Sequence, residues 1–167
     1  MEYAYRADGW QPFYSVVGTA AAALAGLLFI AMSLNLRAVV THAPLLARAR
    51  EAFGGFFNLL MLTLLILIPG QDRHVLGAEL VTFGIVLAAL SVVLQGETIR
   101  RLSADRRARW ALRNLPLNLA TVTILVAGAG LLFGTLGGLF WLVPTVLVYF
   151  LWASLNAWNL IVQSVEA

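Results

Sequence analysis

FYSVVGTAAAALAGLLFIAMSLNL, residues Phe13–Leu36, holds no charged side chain in 24 positions. At about 1.5 Å of rise per residue, such a helix outreaches the roughly 30 Å hydrocarbon core of a bilayer and leaves length for tilt. The stretch is also dense in small side chains. Gly18, Ala22 and Gly26 recur every four residues, so they stack on one helix face. Ala25 lies beside them, and Ser15 and Ser33 extend roughly the same face. Lipid is already apolar, so burying apolar surface does not drive helices together in a bilayer. Close backbone approach across small residues does. The stretch therefore reads as a spanning helix shaped to be packed against something.

The rest of the chain has the same solvent. Of 167 residues, 61% are hydrophobic and only 11% are charged, where a soluble domain carries about 25% charged residues. The mean hydropathy is +0.88. A water-soluble core of this length has no room to hide so much apolar surface. There is no cysteine, which excludes disulfides, thiol catalysis and thiolate metal sites. All eleven basic residues are Arg, a hint of a GC-rich bacterial genome. The opening MEYAYRADGW lacks the basic start of a signal peptide, and the apolar run behind it is too long for one, so the first helix is expected to be retained.

Five apolar segments follow one another: 13–36, 52–68, 75–96, 117–134 and 139–162. Pro69-Gly70 stops the second, which is short for a span. None alternates apolar and polar residues, so a β-barrel is not expected. The reading is an all-α polytopic bundle of five transmembrane helices in a single transmembrane domain, 1–167. Arg residues orient it. Arg6 and Arg73 fall on one side, and Arg37, Arg48, Arg50, Arg100, Arg101, Arg106, Arg107, Arg109 and Arg113 on the other, two against nine. Basic loops stay in the cytoplasm, so the N-terminus is expected outside and the C-terminus inside; a single re-entrant hairpin of the fourth and fifth segments would move the C-terminus, and the uncharged later connections do not decide between the two. Trp10, Phe13, Tyr14 and Trp141 then fall at the outer interface, and Trp110 and Trp158 near the inner one, where aromatic residues concentrate.

The basic loop 98–115, TIRRLSADRRARWALRNL, is expected to extend the third helix and then turn along the membrane. Its arginines Arg100, Arg101, Arg106, Arg107, Arg109 and Arg113 would meet anionic lipid headgroups at the cytoplasmic face. No glycine-rich phosphate loop lies nearby, so nucleic acid is not an expected partner. Further small-residue pairs, Gly84 with Ala88 and Gly130 with Gly134, point to close helix packing within a chain, between copies, or against another membrane protein.

Polar residues inside the spans gather toward the inner side, where every helix contributes. The candidates for a polar layer or pore are Ser33, Asn35, Asn58, Gln95 and Asn156, with Glu79 toward the outer side. Amides are costly in hydrocarbon without partners, so Asn58 is expected to bond Ser33 or Asn35. Glu97 has Arg100 and Arg101 three and four residues on, so a local ion pair is expected. Glu79 stays a candidate because intramembrane acids mark ion pathways. Catalysis is not expected. His42 and His74, the two histidines, fall in loops on opposite sides, and no metalloprotease, nucleophile-elbow or P-loop motif is present. No cofactor or metal is expected.

The block Gly18–Leu36, GTAAAALAGLLFIAMSLNL, preceded by Phe13-Tyr14, resembles the opening helix of a group of small uncharacterised bacterial integral membrane proteins. The resemblance covers about the first 70 residues, through Ile68-Pro69-Gly70-Gln71, and implies a multi-pass protein of the bacterial inner membrane. Ala23–Met32 also resembles the pore helix of Orai calcium channels, as Leu142-Val143-Pro144 loosely resembles their last helix. That family has four spans, an N-terminus inside, and an acidic residue near the place of Leu34. Gly130–Thr135 resembles a segment of the proton-channel subunits that energise outer-membrane transport, whose large cytoplasmic helices have no counterpart here. The expected function is a homo-oligomeric channel or pore for ions or small solutes. The alternative is a non-catalytic scaffold or accessory subunit of a larger membrane complex.

Overall fold

The computed structural model describes residues 2–101 and 103–166. Side chains are described for all of these except residues 2, 38, 44, 97–101, 104, 105, 108, 109 and 163–166. The chain is 91% helical, and the described residues hold no strand. Among the described residues six α-helices run in order: α1 (Gln11–Leu34), α2 (Leu36–Thr41), α3 (Ala43–Ile66), α4 (Arg73–Arg101), α5 (Ala104–Phe133) and α6 (Leu142–Glu166). Five segments are long and apolar enough to cross a membrane: Ala7–Leu34, Leu45–Ile66, Arg73–Gly96, Trp110–Phe133 and Gly138–Val162. They correspond one for one to the five expected from the sequence, and the protein is built as a multi-pass membrane protein.

Helix ends differ from the expected ones for local reasons. The second helix starts earlier, at Ala43 rather than 52, because its apolar seam extends back through residues that carry charge on other faces. Leu45, Ala49, Ala52, Phe56, Leu59, Thr63 and Ile66 alternate by four and three positions, and all seven are buried. That is the spacing that keeps one stripe of a helix on its partner. Arg48, Arg50 and Glu51 lie off it. The fourth span does not begin after Pro116. Helix α5 starts at Ala104 and runs through that proline. A proline inside a membrane helix frees one carbonyl, which neighbouring groups can satisfy.

The residues group into two compact units. One comprises residues 10–67 and 149–167, the other residues 1–9 and 68–148. In the first, α1 and α3 pack on each other through the short reversal of α2. Pro12 and Pro44 each stand in the first turn of their helices, where a missing N–H costs nothing. A Cβ on Gly18 would lie 2.5 Å from Thr63 Cγ2, so α1 meets α3 backbone to side chain there. A Cβ on Gly55 would lie 2.8 Å from Ala153 Cβ, the matching approach of α3 to the middle of α6.

In the second unit, α4 and α5 form a close hairpin. Asp72 caps α4, its Oδ2 accepting from the His74 N–H at 3.0 Å. Backbone meets backbone where two glycines face each other. A Cβ on Gly128 would lie 2.9 Å from Gly77 O, and one on Gly77 would lie 3.0 Å from Gly128 O. Gly84, two turns further along α4, meets the Leu125 side chain. Helix α5 ends at Gly134, whose φ of +67° lets the chain turn without a side-chain penalty. The turn that follows is tied to the N-terminal segment, where Tyr5 Oη accepts from the Gly137 N–H at 3.2 Å. A Cβ on Gly138 would run into the Ala4 carbonyl oxygen.

Candidate functional site

Helix α1 carries two stripes, one used and one open. The buried stripe is Tyr14, Gly18, Ala21, Ala25 and Leu28, with Val17 beside it; only Ala25 is partly exposed. One residue over, Ser15, Thr19, Ala22, Gly26, Phe29 and Ser33 repeat the four-three spacing, and all six are exposed. One residue is about 100° of helix rotation, so the second stripe looks away from the first. The face expected from Gly18, Ala22 and Gly26 thus divides. Gly18 faces Thr63, whereas Ala22 is exposed and a Cβ on Gly26 would have nothing within 4 Å. Only 17% of the most apolar window of this span is buried, against 28–44% in the other four. It is the least covered of the five.

Two hydroxyls of the open stripe bond within the helix. Thr19 Oγ1 donates to Ser15 O at 2.8 Å, and Ser33 Oγ to Phe29 O at 2.8 Å. Asn35 Nδ2 donates to Ala31 O at 3.2 Å. Among the described residues no hydrogen bond joins half-buried Asn58 to Ser33 or Asn35, because those side chains have turned onto carbonyls one turn back. Asn156 does likewise, donating to Trp152 O at 2.9 Å. In hydrocarbon a polar group takes the nearest acceptor, and one's own helix is always within reach.

Elsewhere polar candidates do pair across helices. Gln95 Nε2 of α4 donates to Asn118 Oδ1 of α5 at 3.5 Å. In the connection before α4, and not between helices, Gln71 Nε2 donates to Glu79 Oε2 at 2.5 Å, while Gln71 Oε1 is buried with no partner among the described residues. Thr123 and Thr145 share a hydroxyl–hydroxyl bond of 2.5 Å between α5 and the start of α6, with Thr145 fully buried. Two further hydroxyls, Tyr14 Oη and Thr63 Oγ1, are buried with no hydrogen-bond partner among the described residues.

Of the packing candidates, Gly84 lies against Leu125, and Ala88 lines the open end of the α4–α5 hairpin. Gly130 faces the turn at Thr135 and Gly138, and Gly134 is the left-handed cap of α5. The Gly77–Gly128 and Gly55–Ala153 approaches escape a search for small residues four apart. Gly77 and Gly84 are seven apart, two turns on one face. Of the basic candidates, Arg106, Arg107 and Arg113 are exposed, and Arg106 Nε donates to Ser103 Oγ at 3.1 Å. The side chains of Arg100, Arg101, Arg109 and Glu97 lie outside the described residues, and so does the expected Glu97 ion pair.

Both histidines have local partners. His42 Nδ1 lies 3.2 Å from Thr41 Oγ1, and His74 Nε2 accepts from Arg73 Nε at 3.3 Å. Among the described residues no cluster of three or more His, Cys, Asp or Glu could hold a metal ion. A polar cleft of about 250 Å³ lies among Tyr5, Arg6, Asp8, Gln71, Asp72 and Arg73. Its two arginines stand beside two aspartates, so its charges balance internally. No protein-family model matches the chain, and comparison with curated proteins and with solved structures returned no match.

Proposed function

We propose that the protein assembles with copies of itself along the open stripe of α1 and conducts ions or small solutes along the axis so formed. The observation that carries this reading is the exposed Ser15–Thr19–Ala22–Gly26–Phe29–Ser33 stripe. Its spacing suits parallel copies around an axis, and its small middle lets backbones approach. In a ring, Ser15, Thr19 and Ser33 supply polar rims. Phe29 supplies an apolar constriction of the kind that gates by dewetting. The proposed setting is the bacterial inner membrane, N-terminus outside, without catalysis or cofactor. Asn35, Asn58, Gln95, Asn156 and Glu79 are secondary polar candidates in this reading.

One observation favours the alternative of an accessory or scaffold subunit. Thr19 and Ser33 spend their hydroxyl protons on their own helix, so the stripe offers smooth packing surface that another membrane protein would also fit. One experiment separates the two. The chain lacks cysteine, so Ala22→Cys and Gly26→Cys variants report on self-association directly, with buried Ala21→Cys as control. The expected result is a disulfide-linked dimer for the two stripe positions only. Ion flux from liposomes should appear with the wild-type chain and rise in Phe29→Ala. Cross-linking without flux in either protein supports the scaffold reading, and neither cross-linking nor flux overturns self-association as well.

A further inference from the structure

The α4–α5 hairpin is tight at one end and open at the other. Leu76, Gly77, Leu80 and Gly84 are buried, but from Ile85 to Gly96 no residue of α4 is. The opening is a groove of about 420 Å³ lined by Ala88, Ser91, Val92 and Gln95 of α4 and by Asn118, Val122 and Leu125 among others of α5. It is apolar along most of its length and polar at the end nearer the α4–α5 connection, where Gln95 and Asn118 pair. Asn118 accepts through Oδ1, which leaves both its Nδ2 protons, and one on Gln95 Nε2, for an outside acceptor.

The charge beyond that end is one-sided. Residues 97–113 contain six Arg and two acids. Arg106, Arg107 and Arg113 among them are exposed. Gln95 stands six residues before the end of α4 at Arg101, and Asn118 five after Arg113. These separations amount to about 8–9 Å along a helix. The polar layer on each side of a bilayer is about 5–8 Å thick. The amide pair therefore lies at the edge of the hydrocarbon when the arginines lie at the phosphates.

We propose that this groove binds one anionic phospholipid. One acyl chain fills the apolar part along Ala88, Val92, Val122 and Leu125. The amide N–H groups of Gln95 and Asn118 donate to ester carbonyls, and the Arg-rich end holds the phosphate. The occupant is amphipathic because the groove is, and anionic because its polar mouth opens onto a basic segment. The proposal does not depend on conduction through α1.

Native mass spectrometry of the detergent-extracted wild-type chain, titrated with phosphatidylglycerol or phosphatidylcholine, tests it. One tightly retained phosphatidylglycerol is expected, with phosphatidylcholine retained more weakly. Ala88→Trp fills the groove and should abolish retention. Gln95→Leu with Asn118→Leu should weaken it about tenfold, as the loss of two hydrogen bonds in a membrane implies. Leu147→Trp, on exposed surface of α6, should leave it unchanged. Equal retention by all variants overturns the site, and equal retention of both lipids overturns the charge assignment. A change in oligomeric state with Ala88→Trp, at constant lipid content, would show a second copy in the groove instead and overturn the proposal.

Discussion

At the scale of single residues, glycines divide sharply by what stands opposite them. A methyl on Gly128 would meet Gly77 O and Val81 N, both at 2.9 Å. Backbone on both sides leaves nothing to rotate away. Gly128→Ala is therefore expected to lower stability by about 1–3 kcal/mol, the usual cost of overpacking. Gly26→Ala meets nothing within 4 Å in the single chain and should raise the stability of the monomer by about 0.5–1 kcal/mol through helix propensity. Unfolding midpoints in detergent measure both; equal effects would contradict the packing described. Sequence spacing alone does not separate the two glycines, because both lie in runs of small residues. The partner backbone decides, and it comes from a distant part of the chain. For the same reason the exchange of Asn58 for local carbonyls by Ser33 and Asn35 was not legible. A carbonyl four residues back is an acceptor that every helix carries and no motif announces.

At the scale of elements, the five apolar runs were readable because lipid demands about 20 uncharged residues in a row. Their ends were not. A helix does not stop where its surroundings change from hydrocarbon to water, so Arg48, Arg50 and Glu51 continue α3 and the basic run 98–115 belongs largely to α4 and α5. The four-three seam was the missed signal. It reaches Leu45, which is 4% exposed, in a stretch that charge alone marks as loop. Leu45→Ala should accordingly cost about 2–5 kcal/mol, as buried leucines do, while Arg50→Ala, exposed and off the seam, should stay within about 0.5 kcal/mol. Thermal unfolding of the two variants side by side checks the extent of α3. Comparable midpoints would return residues 43–51 to a loop.

At the scale of the whole molecule, the Arg asymmetry predicts orientation. With no native cysteine, Asp8→Cys and Leu136→Cys should react with a membrane-impermeant maleimide added outside intact cells. Ser103→Cys should react only after permeabilisation. The reverse pattern would invert the topology and exchange the rims assigned to α1. Helices α4 and α5, 29 and 30 residues long, reach about 43–45 Å. That exceeds the hydrocarbon by a third or more. Among the described residues the two helices hold each other by the Gly77–Gly128 and Gly84–Leu125 approaches and the Gln95–Asn118 bond, all set back from the connection at Ser103. Those glycine contacts lie on continuous helix and do not need the connection to be covalent. The chain could be cut there, or made to carry an inserted cargo domain, and the two halves would still hold together by their glycines.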